Sequence, residues 1–250
     1  MEYKQYPVPK ELKQIVRYFW SYNASAPSAN KLVIKSFADK YPRLIFQDID
    51  NFEPIISDGN KMPSCYFGVS FYPNALYKIW GINSVDLVDK TPDFFDIEKT
   101  ILPLKLKDAK SHEERVLVLS NYFFDKIQKK HVDFFSDFIL SKKGIHDAND
   151  FTVLLKEFKI SERQFQRKFK TEVGITYKNF SRLSRFEKAL DLISNDKEAN
   201  FTQIAYDLGF ADQSHLIKNF NEFAGCTPLE FKKNNQLGNE SNSFIYNTNS

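Results

Sequence analysis

Between residues 150 and 233 the sequence repeats itself with an offset of 51, and no other feature constrains the fold as tightly. Ser161 and Asp212 each offer a side-chain oxygen suited to capping the start of a helix. Four and eight residues after each cap stands an apolar side chain, Phe165 and Phe169 in the first copy and Leu216 and Phe220 in the second. Thirteen residues after each cap comes a glycine, Gly174 or Gly225, where the end of a helix favours positive φ. Thr176 matches Thr227 and Phe180 matches Phe231 at the same offset. Agreement at cap, core and stop positions together marks a duplication.

Each copy also has a short apolar-periodic segment before its cap. In the second it is Phe201-Thr202-Gln203-Ile204-Ala205-Tyr206-Asp207-Leu208, closed by Gly209; in the first it is residues 152–158. Two short helices joined by a tight turn, with small Ala205 where they cross, form the helix-turn-helix pattern. A generic helical bundle would show periodic apolar residues too. It would not need the caps and glycines in register twice.

The second copy reads Ile204-Ala205-x3-Gly209-Phe210-x-Asp212-x3-Leu216-x3-Phe220-x4-Gly225-x-Thr227-Pro228-x2-Phe231, which resembles the signature of AraC/XylS-family regulators. The first copy, Ser161-x3-Phe165-Gln166-Arg167-x-Phe169-Lys170-x3-Gly174, resembles the same family's first motif. Leu216 stands where an aromatic residue is commoner, and Asn221 where the family usually has Lys. The resemblance implies an all-α double helix-turn-helix domain over 146–233. It also implies a sequence-specific regulator of transcription whose partners are double-stranded promoter DNA and RNA polymerase.

A helix-turn-helix lays its second helix in the major groove. With Phe165 and Phe169 inward, helical periodicity turns Glu162, Arg163, Gln166, Arg167 and Lys170 outward. Arg163 and Arg167 suit guanine O6/N7, and Gln166 suits adenine N6/N7. The outward set of the second copy is Gln213, Ser214, Ile217 and Lys218, with His215 at the edge and Ile217 suited to a thymine methyl. The family resemblance points to 163, 166 and 167, and to 213, 214, 217 and 218.

A linker helix is expected over 178–194, with Phe180, Leu183, Phe186, Leu190 and Ile193 on one stripe. Its length suits two recognition helices spaced about one turn of DNA apart. Charge separates the two copies: residues 151–188 carry +6 and residues 189–233 carry −3. Because phosphate neutralisation supplies much of the affinity, the first motif is expected to anchor binding and the second to add specificity.

Residues 1–110 differ in character. Short apolar runs such as Arg43-Leu44-Ile45-Phe46 and Cys65-Tyr66-Phe67-Gly68-Val69-Ser70-Phe71 lie among turn signals, and scattered prolines argue against long helices. The expected fold class is α+β, with a β-rich, cupin-like N-terminal domain ahead of the helical one. Pro7-x-Pro9-x2-Leu12, Tyr18-Phe19-Trp20-Ser21 and Gly68-Val69-Ser70-Phe71-Tyr72-Pro73-Asn74-Ala75 weakly resemble a β-rich domain found ahead of AraC-type motifs. That resemblance implies small-molecule effector sensing or homodimer formation. Tyr66, Phe67, Phe71, Tyr72 and Trp80 are candidate pocket residues, with ordinary core as the plainer alternative.

From Ser111 apolar spacing becomes helical: Val116, Leu119, Phe123 and Ile127 mark a helix opened by Ser111 and Glu114 as a capping box. Val132–Leu140 reads as a second, and 111–145 forms a helical linker or dimerisation segment. The tail, 234–250, holds six Asn and is expected to be disordered, with Phe244-Ile245-Tyr246 able to dock locally. Two cysteines, Cys65 and Cys226, and four scattered histidines give no disulfide framework, metal cluster or cofactor site. No nucleophilic constellation stands out, so an enzyme is not expected; the alternative is the same DNA-binding module fused to a catalytic or protein-docking first half. No run reaches membrane-spanning length, and a cytoplasmic protein is expected.

Overall fold

The computed structural model describes residues 2–23, 32–36, 40–47, 65–88, 90, 92–128, 148–196, 198–233 and 244–248. They divide into two compact units: Met1–Ser28, Tyr41–Ser136 and Thr171–Gly174 in the first, Ala29–Lys40, Asp137–Lys170 and Ile175–Ser250 in the second.

The first unit is built on an antiparallel sheet of β1 (Glu2–Tyr6), β2 (Val16–Asn23), β4 (Arg43–Gln47) and β5 (Cys65–Phe71), ordered β1-β2-β5-β4. Phe19 pairs with Val69 across β2 and β5, and Leu44 with Val69 across β4 and β5. Strand alternation therefore sends Phe19, Phe67, Val69 and Phe71 to one face, where all four are fully buried. Gly68 lies opposite Trp20, and a β-carbon there would come within 2.8 Å of the Trp20 ring. Only glycine fits that crossing.

After Phe71 the described residues are helical: α1 (Ala75–Trp80), α2 (Phe94–Ile97), α3 (Leu102–Asp108) and α4 (His112–Gln128). The β-rich expectation therefore holds only up to Phe71. The prolines keep the helices before Pro103 short, as expected. α4 opens as read, with Ser111 Oγ accepting from Glu114 N at 3.1 Å, although the Glu114 carboxylate reaches Lys110 N instead of closing the box. Its stripe Val116, Leu119 and Phe123 is buried in the same core as the sheet, with Phe123 edge-on to Phe71. Arg115 is buried beside them; its guanidinium donates to the carbonyls of Leu106 and Ala109, groups left open at the end of α3.

The five candidate pocket residues do not form one wall. Phe67 and Phe71 are core, Tyr72 is exposed, and Tyr66 points to the opposite face from Phe67 because neighbours on a strand alternate. Thr171–Gly174 complete the unit, with Ser84 Oγ donating to the Glu172 carbonyl at 2.8 Å.

The second unit holds α5 (Ala148–Phe158), α6 (Glu162–Val173, whose last turn counts with the first unit), α7 (Tyr177–Asn195), α8 (Phe201–Asp207), α9 (Gln213–Ala224) and α10 (Pro228–Lys233). It also holds β3 (Leu32–Ser36), paired antiparallel with β6 (Phe244–Thr248). The tail expected to be disordered thus contains a strand, because the backbone of 244–248 finds partners some two hundred residues earlier in the chain. The helix read over Val132–Leu140 lies outside the described residues.

Candidate nucleic-acid interface

Both motifs are set by their caps. Ser161 Oγ accepts from Gln164 N at 3.3 Å while Gln164 Oε1 accepts from Ser161 N at 2.9 Å, a reciprocal capping box that starts α6. Asp212 accepts from His215 N at 2.7 Å and starts α9. Asn200 caps α8 through the amides of Thr202 and Gln203. Gly225 ends α9 with φ of 68°, and Gly174 follows α6 with φ of 92°.

With the helices fixed, packing decides which side chains stay outside. Phe165 and Phe169 are fully buried and stack on one another, with Tyr177 edge-on to both rings. Arg163, Arg167 and Lys170 are left exposed and Gln166 half-buried, all on one side of α6. In the second motif Leu216 and Phe220 are buried with Ile204, Ala205, Phe210 and Phe231. Gln213, Ser214 and Lys218 are exposed and Ile217 half-buried. His215 lies edge-on to Phe210, and its Nδ1 accepts from Ala211 N, so the ring is held at the turn.

One link between the helices of the second motif was not legible in the spacing. Thr202 Oγ1 donates to Gln213 Oε1 at 2.8 Å, joining α8 to the first residue of α9. The arginines of α7 were also missed as structural residues. Arg182 pairs with Glu222 and lies over the Phe223 ring; Arg185 donates to the Gly209 carbonyl at 3.0 Å and lies over Phe210. Burial and neighbouring Arg182 push the Arg185 guanidinium below its ordinary pKa. Both cations fasten the second motif to α7, and only a long-range view of the packing reveals it.

The acids of the second motif have a structural explanation as well. Asp212 caps α9, Asp207 accepts from Gln203, Asp196 from Glu198 N, and Glu222 holds Arg182. Glu230 closes a capping box with Thr227 at the start of α10, and the two Thr227 hydrogen bonds hold its carboxyl below the usual carboxylate range. The negative balance of residues 189–233 is largely the chemistry of helix ends.

α7 carries both motifs. Leu183, Phe186, Leu190 and Ile193 are buried along it and Phe180 is half-buried, the expected stripe. Its 19 residues span about 28 Å at the helical rise. The site is a paired helix-turn-helix unit with two outward polar faces on one spacer.

Residues 154–234 match the family model described as a helix-turn-helix domain. Among curated relatives, the HTH-type transcriptional activator CfaD of Escherichia coli is 26% identical over 176 residues, covering 63% of this chain and 65% of CfaD. The HTH-type transcriptional activator RhaS of Escherichia coli is 28% identical over 87 residues, covering 35% of this chain and 31% of RhaS. The chain thus matches less than two thirds of either relative. A crystal structure of ToxT from Vibrio cholerae aligns at 15% identity with a TM-score of 0.37, covering 82% of this chain and 94% of that one. The C-terminal domain belongs to the AraC type of helix-turn-helix domain.

Proposed function

We propose that this chain is a sequence-specific DNA-binding regulator of transcription whose two motifs read adjacent major grooves of promoter DNA. The observation that carries this is the pair of outward faces mounted on one helix: Arg163, Gln166, Arg167 and Lys170 on α6, and Gln213, Ser214, Ile217 and Lys218 on α9. Arg163 and Arg167 pair with guanine edges and Gln166 with adenine, Lys170 and Lys218 meet phosphates, and Ile217 meets a thymine methyl. A spacer of about 28 Å brings the two recognition helices near the ~34 Å repeat of B-DNA. One copy of the chain then suffices to occupy two grooves.

Activation is the direction proposed, since both named relatives are described as activators, and RNA polymerase is then the second partner. The first unit serves effector sensing or homodimer formation. Among the described residues no helix is long and apolar enough to cross a membrane, and no cluster of His, Cys, Asp and Glu suits a metal.

The test is selection of genomic fragments by the purified full-length chain at moderate salt, followed by binding titrations on the recovered sequence. Recovery of a site with two half-sites about one helical turn apart supports the reading. Binding that prefers no sequence over bulk DNA overturns it.

A further inference from the structure

In chain order β3 and Lys40 lie between β2 and β4, two strands of the first unit's sheet, yet both belong to the second unit. Two separate sets of contacts hold them there. β3 pairs with β6 from Leu32↔Thr248 to Ser36↔Phe244. Lys40 sets its ammonium 3.0 Å from Glu187 Oε2, donates to Ser184 Oγ at 2.7 Å, and lies 4.9 Å from the centre of the Phe180 ring.

Residues 180, 184 and 187 follow helical spacing, so Lys40 lies along one side of α7. The ion pair is shielded, with the Lys40 side chain 12% and the Glu187 side chain 21% exposed. Losing one partner there leaves a charge poorly compensated, which is costlier than on an open surface. Burial and the charge of Lys40 also push the neighbouring Lys188 ammonium below its ordinary pKa. The grip falls where both motifs attach: Phe180 packs on Phe169 of α6, and Phe186, next to Glu187, packs on Phe220 of α9. A two-stranded ribbon is marginal by itself, and Lys40 adds contacts to α7 itself.

We propose that β3 and Lys40 form a coupling arm by which the first half of the chain steadies α7, with Lys40 and Glu187 as positioning residues for two-groove reading. With the Lys40 clip closed, the two recognition helices are held for simultaneous binding. This rests on the DNA-binding reading above.

The test uses the full-length chain, its selected site, and a version of that site with one half-site scrambled. Glu187→Gln should weaken binding to the intact site about fivefold while changing binding to the scrambled site little. Charge alone predicts the opposite, since removing an acid should tighten both. Lys40→Arg should keep near-normal binding, and the exchange Lys40→Glu with Glu187→Lys should recover part of the loss. Hydrogen exchange without DNA gives a second readout: amides of 184–190 should exchange faster in Glu187→Gln than in the unaltered chain. Unchanged exchange with equal or tighter binding to the intact site overturns the arm. If the unaltered chain prefers no sequence while Glu187→Gln still loosens α7, the DNA reading fails and the grip on α7 stands.

Discussion

Thr202 donates its hydroxyl proton to the side-chain oxygen of Gln213 at 2.8 Å. That bond uses one of the two lone pairs of the amide oxygen and leaves the NH2 group of Gln213 to donate. A glutamine so tied shares its acceptor with Thr202, which weakens the paired donor and acceptor contact by which adenine is read. Thr202→Val should therefore shift the preference at one operator position toward adenine, by about 1 kcal/mol. Competition binding with the four base pairs at each position checks this; an unchanged preference profile would exclude Gln213 from base reading.

The first motif should dominate affinity. Arg167→Ala is expected to cost about tenfold or more in operator binding, since it removes a guanine contact together with a positive charge. Lys218→Ala should cost less, because the region around it, residues 189–233, carries a net charge of −3. Anisotropy titrations across a salt series measure both quantities. A larger loss for Lys218→Ala reverses the ranking.

The two equivalent glycines should respond unequally to alanine. At Gly225, φ is 68° and a β-carbon meets open space, so Gly225→Ala should cost only the left-handed backbone penalty of about 1 kcal/mol. At Gly174, φ is 92° and a β-carbon would lie 2.9 Å from the Ser84 carbonyl oxygen. Gly174→Ala should then exceed Gly225→Ala by about 1 kcal/mol or more. Denaturant midpoints at constant slope decide it, and equal costs would contradict the close approach.

Glu230 should titrate below the ordinary carboxylate range, because Thr227 donates to it from both its backbone and its side chain. Its pKa is depressed by folding, so its contribution to stability is present above the unfolded value and is lost as pH falls through the folded one. Thr227→Val removes the hydroxyl but keeps the backbone donor, and should raise the Glu230 value part of the way back. Carboxyl-carbon NMR titration follows this directly. An ordinary value in the unaltered chain would mean that the capping box is open in solution.

Much of the candidate interface was legible because helix ends and faces are local. Ser161 and Asp212 cap, Gly225 adopts positive φ, and Phe165, Phe169, Leu216 and Phe220 are buried, each as spacing required. The first half was harder. β5 lies between β2 and β4 in the sheet, and nothing in the pattern of a single strand names its neighbours. The helices between Phe71 and Ser111 were missed for a related reason: short helices rest on tertiary packing more than on propensity.

The sequence by itself determined the duplication, its caps and stops, and the outward faces of α6 and α9, since a helix of period 3.6 fixes all of these within about twenty residues. Tertiary structure alone decided that Arg182 and Arg185 fasten the second motif, that Thr202 ties Gln213, and that Lys40 reaches Glu187. Those are contacts between side chains of separate elements, and their energies depend on distance and burial in the folded chain. No spacing along the chain encodes them.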